Sequence, residues 1–472
     1  MSRTGCREPL LPWLLLLALV LRSGFVLYHA QVGWHLQHDA GYYLTLARHL
    51  KHGVYSLFHP LDIPDTTRMP GYPWLIHLLG CSVPAVLAVQ VLLSSAKVLL
   101  VHRLARAIGL SRQGALLAAA LMALEPVDIV LTGSLLTEAC FTTALLGGIL
   151  LLARPGHPWR AVMAAAVCFG AAAWFRANGL PLALMGAGIA VALLRMELRM
   201  AGAFVALMLL LVAPWVLRNR VETGRLVLSD SGAVAAAHFH LPEVLAAAGD
   251  PRAAVYKQEL HGRAARTDWE EPGAASAYFS GLRDDLRHTF VAHPLTWAGV
   301  QLRTTAGILL APGRGHIAGF FGRGVVAWAI TCVALLYTGL LVFALVFWVW
   351  HARRLPAVLV VVLLLAGAVL FSGGISTTDA RFKSPAMPLL LVGAAWAVEQ
   401  ARGLLRQRTD ARDRSTCHSS STAFAPARTS PTAHCTHLVS PNAGTSNGAK
   451  PRIGPYMAEA FLAAAGGIAP SV

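Results

Sequence analysis

What this chain has least of is charge. Only 13% of its residues are Asp, Glu, Lys or Arg, against 56% hydrophobic, which excludes a soluble globule and points to a polytopic membrane protein. Acids are scarcer still: 23 Asp and Glu stand against 39 Lys and Arg, a formal net charge of +16. The cations lie mainly beside apolar runs and in the C-terminal tail, a pattern that insertion topology and anionic headgroups explain and nucleic-acid binding does not. The seven cysteines are scattered, with Cys140, Cys168 and Cys332 inside apolar runs, so no disulfide framework is expected. No small-x-small cleavage site follows the apolar run at 10–20, which continues past Arg22 and reads as an uncleaved first helix. No internal repeat is evident.

What is there is a series of apolar runs. A bilayer core takes about 20 such residues per helix, and ten runs qualify approximately: 10–29, 83–106, 112–131, 134–153, 160–174, 180–194, 200–217, 325–350, 356–371 and 384–398. The expected fold class is an all-α polytopic membrane protein of about ten spans, with a range of 8–12 and a re-entrant hairpin open at 160–194. Arg103 with Arg106, Arg154 with Arg160, Arg195 with Arg199, Arg353 with Arg354 and Arg402 with Arg406 fall on one side of this alternation, which is then cytoplasmic, with both termini. The opposite side receives 38–73, the turn at 125–132, the link around Arg176, the polar segment 218–323, and 372–383. Residues 1–402 form the membrane domain, and 218–323 reads as a mostly helical external cap with helices near 256–266, 278–289 and, lying at the interface, 294–310. Beyond Arg406 the composition shifts to Ser, Thr, Pro, Ala and Arg, so 403–472 is expected to be a disordered cytoplasmic tail.

Chemistry is sought on the external face. Asp39 opens an amphipathic stretch in which Ala40, Tyr43, Leu44, Ala47 and Leu50 recur at helical spacing, a pattern for a helix along the membrane surface. Its carboxylate is either a catalytic group or a helix cap. Glu138 stands a few residues into its run and Lys97 near the middle of another; ionisable groups there face the bundle interior, paired for tolerance or serving function. Arg68, Arg176, Arg218, Arg220, Arg381 and Lys383 sit at external run ends, where each alone is a snorkelling cation and several together are a phosphate site.

Five segments in order, HDAGYYLTLARHL, TTRMPGYPWLIHLLG, SLLTEACFTTALL, PWVLRNRVETGRLVLS and DARFKSPAMPLLLV, resemble successive landmarks of the GT-C superfamily of polytopic glycosyltransferases. More narrowly they resemble the branch of the bacterial protein O-mannosyltransferases and the lipid A aminoarabinose transferase. The resemblance covers roughly residues 10–402. It implies Asp39 as the acid of the first external loop, Glu138 as a second acid, and Arg68, Arg176, Arg381 and Lys383 as cations for the donor phosphate. His38, Tyr43, Tyr72 and Lys97 are secondary candidates for substrate contact. It also implies a polyprenyl-phosphate sugar donor in a bacterial inner membrane, a lipid, glycan or protein acceptor, and surrounding membrane lipids, with no nucleic acid. It makes no cofactor certain. A divalent metal held by Glu138 with His38, His238 or His240 stays open, because relatives often carry two adjacent acids where this chain has His38-Asp39. Relatives also often carry Arg-Tyr-Arg where this chain has Arg381-Phe382-Lys383.

Such a transfer needs a carboxylate to take the acceptor proton, cations for the departing phosphate, and an apolar groove for the isoprenoid. The phosphate leaves as an anion, so no strong general acid is needed. Two other classes remain: a transporter or flippase of an anionic lipid, which Lys97 favours, and an inactive relative kept as a structural partner.

Overall fold

The structure, a computed structural model, describes residues 9–31, 38–57, 63–269, 271, 273–375 and 379–419. Among them there is no strand beyond an isolated bridge between Ser56 and Pro64. The chain runs through α1 (Leu10–Gln31), α2 (His38–His49), α3 (Gly71–Leu78), α4 (Val83–Ala107), α5 (Arg112–Ala123), α6 (Pro126–Thr132), α7 (Glu138–Leu152), α8 (Trp159–Phe175), α9 (Gly179–Leu194) and α10 (Leu198–Thr223). The polar segment then folds as α11 (Ser231–Ala235), a π-helical turn at Ala236–His240, α12 (Leu241–Ala248), α13 (Tyr256–Arg266), α14 (Ala274–Ala292), α15 (Pro294–Leu310) and α16 (Arg314–Phe321). α17 (Val325–Trp350), α18 (Ala357–Gly373) and α19 (Met387–Ser419) complete it.

Each expected span coincides with a helix, except that α5 and α6 divide one run between them. By length and apolar composition α1, α4, α10 and α17 suffice to cross a membrane, and the α5–α6 pair makes a fifth if counted as one span. α7, α8, α9 and α18 are apolar but have 15, 17, 16 and 17 residues. At about 1.5 Å per residue they reach roughly 22–26 Å, short of a hydrocarbon core of about 30 Å. The chain is a multi-pass helical membrane protein in which several helices stop short of one full crossing.

The α5–α6 break bends by 48°, and its cause is local. Pro126 has no N–H to give to the carbonyl of Met122, so the helix stops. Glu125 starts the next one by accepting the Asp128 N–H on its carboxylate. Arg22 of α1 supplies what the proline cannot, donating to the carbonyls of Met122 and Ala123 at 3.1 Å each.

The main core gathers side chains from α1, α4, α5, α7–α10 and α17–α19, with Phe141, Phe169, Phe204 and Met122 fully enclosed. α2, expected from its amphipathicity, packs on protein along two flanks. Ala40, Tyr43, Leu44 and Ala47 pack with Tyr72, Ile76, Val86 and Leu135, while Leu46, on the other flank, packs with Tyr55, Met69 and Trp215. Apolar residues on two flanks embed the helix in protein. The polar segment has a core of its own, from Val234 and Leu241 to Phe279 and Leu282. α15 is tied to the end of α18, Gln301 donating to the Phe371 carbonyl at 2.6 Å and Thr304 to that of Gly374 at 2.9 Å. α19 continues as helix to Ser419, into the stretch expected to be disordered. Residues 420–472 and the side chains of 410–419 lie outside the described residues.

Candidate active site

Five ionic side chains from five separate segments meet at one end of the bundle. Asp39 is in the first turn of α2, Arg68 in the loop before α3, Glu138 at the start of α7, Arg176 just past α8, and Arg381 in the 3-10 turn Ala380–Lys383. Arg381 is the link. Its Nη1 lies 2.7 Å from Asp39 Oδ2 and its Nε 2.5 Å from Glu138 Oε1. Arg68 reaches Asp39 Oδ1 at 3.4 Å, and Arg176 donates to Glu138 Oε1 at 2.5 Å and to Thr137 Oγ1 at 2.7 Å. Three guanidinium groups thus face two carboxylates, an excess of one positive charge. Access is graded: Glu138 is 2% exposed, the arginines 12–16%, and Asp39 25%.

Each member is held by its own neighbourhood. Asp65 Oδ1 accepts the Thr67 N–H at 2.5 Å, the Thr67 hydroxyl at 2.7 Å and the Arg68 N–H at 3.2 Å. The Tyr55 hydroxyl lies 3.2 Å from the carbonyls of Arg68 and Met69. The Arg68 guanidinium sits 4.5 Å over the Tyr42 ring, a cation–π contact. Gly71 lets this loop approach the end of α8, since a Cβ there would stand 2.7 Å from the Trp174 carbonyl oxygen. That approach brings Arg68 and Arg176 to the same site. Asp379 accepts the Arg381 N–H at 2.9 Å and so fixes the turn that presents the bridging guanidinium.

Burial works against ionisation of Asp39, but Arg381, with Arg68 behind it, outweighs burial and holds the carboxyl well below the usual carboxylate range. Burial also works against charge on Arg381, and Glu138 and Asp39 reverse it, raising its affinity for the proton. Burial, reinforced by Asp39, raises the Tyr43 phenol, which stays a neutral wall beside the carboxylate.

Other expected members are elsewhere. Lys97 pairs with Asp128 deep between helices, together with Arg22 at 2.8 Å from the same carboxylate, and is 1% exposed and already committed. Lys383 is 3% exposed and turns away from the cluster, donating to the carbonyls of Leu309 and Ala311 at 3.2 and 2.7 Å. It satisfies the C-terminus of α15 rather than a phosphate. Tyr72 is fully buried, its hydroxyl bonded to Gln90 and its ring edge-on to Tyr43 at 5.1 Å, so it belongs to the core. Arg218 donates to the carbonyls of Asp65 and Tyr55 at 3.0 and 3.1 Å. His38 opens α2, and its side chain lies outside the described residues.

Sequence reasoning missed Asp128 and Tyr42. Asp128 had a signal, the charge of Arg22 inside the first apolar run, which calls for a partner. Tyr42 had none, because a ring becomes a cation platform only once Arg68 is folded over it.

Glu138 Oε2 is a buried carboxylate oxygen without a hydrogen-bond partner, but Arg176 and Arg381 hold the same carboxylate and the other acid is already paired. His238 lies 6.0 Å from His261 and His240 4.6 Å from Trp297 between ring centroids, and no group of three or more His, Cys, Asp or Glu among the described residues comes together as ligands.

No family model matches the chain, and no curated protein matches it. Among solved structures it is similar to the archaeal oligosaccharyltransferase AglB from Archaeoglobus fulgidus in complex with an inhibitory peptide and a dolichol-phosphate, at 13% identity and TM-score 0.47, covering 86% of this chain and 52% of that one. The apo form of the Archaeoglobus fulgidus oligosaccharyltransferase gives 13% identity, TM-score 0.49 and the same coverage, 86% and 52%. ArnT from Cupriavidus metallidurans bound to undecaprenyl phosphate gives 13% identity and TM-score 0.41, covering 84% and 79%. The chain spans about half the length of the oligosaccharyltransferase. A likeness this distant assigns neither activity nor substrate.

Proposed function

We propose that the chain is an inverting membrane glycosyltransferase, moving a sugar from a polyprenyl-phosphate donor to the hydroxyl of a lipid, glycan or protein acceptor. Its support is one observation: Asp39, Arg68, Glu138, Arg176 and Arg381, far apart in sequence, form a single connected network. In this reading 1–402 is the catalytic domain, 38–73 its catalytic loop and 218–323 the cap. The site faces the periplasm or exterior, and both termini are cytoplasmic.

Asp39 takes the proton of the acceptor hydroxyl as that oxygen attacks the anomeric carbon. The bond from this carbon to the phosphate oxygen breaks, and its electron pair leaves with the polyprenyl phosphate. Arg381, Arg68 and Arg176 meet the charge that gathers there. Glu138 holds Arg381 and Arg176 by one oxygen and so positions both guanidinium groups.

The resting network sets the order of events. Both Asp39 oxygens are engaged by arginines, which makes a weak base. A donor phosphate competes for the same guanidinium groups and releases Asp39 when its work begins.

The test is Asp39→Asn in purified protein with a labelled polyprenyl-phosphate sugar. Transfer is expected to vanish with membrane abundance unchanged, and full retained activity would sink the reading. The transport alternative draws on Arg22, Asp128 and Lys97, which are 0–3% exposed and committed to one another. Movement of intact lipid-linked sugar across proteoliposomes, without cleavage, would favour it.

A further inference from the structure

α16 lies across the site end of α1, α6 and α17. Phe320 packs on Phe25 and His29 at 5.3 and 4.7 Å, and Phe321 stacks on Tyr28 at 5.4 Å. Gly313, just before the helix, approaches α6 so closely that a Cβ would meet Val127 at 2.8 Å. Toward α17 there is a cleft of about 270 Å³, lined by Arg314, Ala318, Arg323, Ala327, Trp328 and Leu335 among others.

Two properties of this cleft are not explained by the fold. Arg314 and Arg323 are both exposed, and neither has a hydrogen bond or ion pair with a described residue. The cations of the reaction network, by contrast, are all committed to carboxylates. Beyond the two arginines and Thr331, whose hydroxyl is bonded back to the Ala327 carbonyl, the wall is apolar and open, with Trp328 62% and Leu335 49% exposed on a helix long enough to span the bilayer. Arg314 opens α16 and Arg323 stands just past its end, in the turn before α17, and both line the cleft. A soluble anion leaves the apolar wall uncovered, and an uncharged lipid leaves two cations uncompensated. A phosphate head carrying an acyl chain satisfies both.

We propose that the cleft between α16 and α17 binds an anionic glycerophospholipid of the surrounding bilayer, its phosphate between Arg314 and Arg323 and its first acyl carbons along Ala327, Trp328 and Leu335. The site is separate from the donor phosphate's, which shares none of these residues. It also has a route to the reaction network. His316 of α16 lies 2.7 Å from Asp379 Oδ1, and Asp379 caps the turn presenting Arg381, so a lipid that steadies α16 steadies the bridging arginine.

The full chain, delipidated and exposed to equal amounts of phosphatidylglycerol and phosphatidylcholine, is examined by native mass spectrometry. Selective retention of phosphatidylglycerol is expected, falling about tenfold in the Arg314→Gln/Arg323→Gln double variant and persisting in the double Lys variant. If the glutamine pair does not accumulate, each single variant reads the same difference in a smaller step. Equal retention of the two lipids, unchanged retention in the glutamine pair, or retention of added polyprenyl phosphate in place of phosphatidylglycerol overturns the proposal, as does displacement of the bound lipid by millimolar inorganic phosphate alone. Because the readout is binding, it fails or holds independently of sugar transfer.

Discussion

Two charged groups in this protein use the same chemistry to opposite ends. Around Asp128, Arg22 donates at 2.8 Å, Lys97 closes on the other oxygen and the Ser94 hydroxyl donates at 2.6 Å, with the ionic side chains 0–3% exposed. Around Arg381, two acids and two further arginines share bonds of 2.5–3.4 Å, yet Asp39 keeps a quarter of its surface open. A sealed ionic group cannot exchange partners without exposing a charge to low dielectric, so it acts as a fastener between helices. An open group with surplus cations can trade a carboxylate for a phosphate.

The comparison breaks most sharply at Asp39 and Asp128. Asp39→Asn should lower turnover by about 10²–10⁴-fold while thermal stability in detergent moves little. Asp128→Asn should do the reverse, leaving Arg22 and Lys97 uncompensated at a cost of roughly 3–5 kcal/mol, read as lost membrane abundance and a lower unfolding temperature. A stable Asp128→Asn protein that fails only in turnover would erase the distinction.

The next effect is on pH. Asp39 is depressed in the folded protein, so its pairing is fully present above the ordinary carboxylate value, about 3.9, and is lost only as pH falls through the depressed one. The acid limb of kcat/KM for the donor, which reports the free enzyme, should therefore lie below that of kcat. In the donor complex the arginines have turned to phosphate and Asp39 rises toward its usual range. Coincident limbs in the two profiles would remove the exchange from the mechanism.

A smaller effect is expected at Lys383. Lys383→Met leaves the carbonyls of Leu309 and Ala311 without their donor, a loss of about 1–3 kcal/mol, while KM for the donor stays near that of the parent. A rise in KM of tenfold or more would return Lys383 to the phosphate site. Least of all, Tyr72→Phe should cost about 0.5–1.5 kcal/mol for its bond to Gln90, with turnover unchanged by radiolabel assay.

Much of the membrane part was legible because apolar runs report burial directly, and each run received a helix or a bent pair. The bend falls at Glu125-Pro126, at the start of the turn expected at 125–132, although the apolar run continues through it. α2 was legible as a helix but not in its setting: periodicity marks Ala40, Tyr43, Leu44 and Ala47 as one face, and cannot say that Leu46 is wanted by Trp215 and Tyr55 on another. At the candidate site Asp39, Glu138, Arg68, Arg176 and Arg381 were all readable as charges near run ends. Lys383, two residues from Arg381, carried the same signal and went to a helix terminus instead.

The sequence by itself determined that this protein is helical and membrane-embedded, and that its few carboxylates must find cations, because apolar surroundings tolerate no unpaired charge. Which cation each acid takes was decided only by tertiary structure. Glu138 and Lys97 each called for a partner in a linear reading, and Glu138 binds Arg176 and Arg381, while Lys97 shares Asp128 with Arg22. Ionic contacts act over a few ångströms, and only the folded chain says which groups come that close.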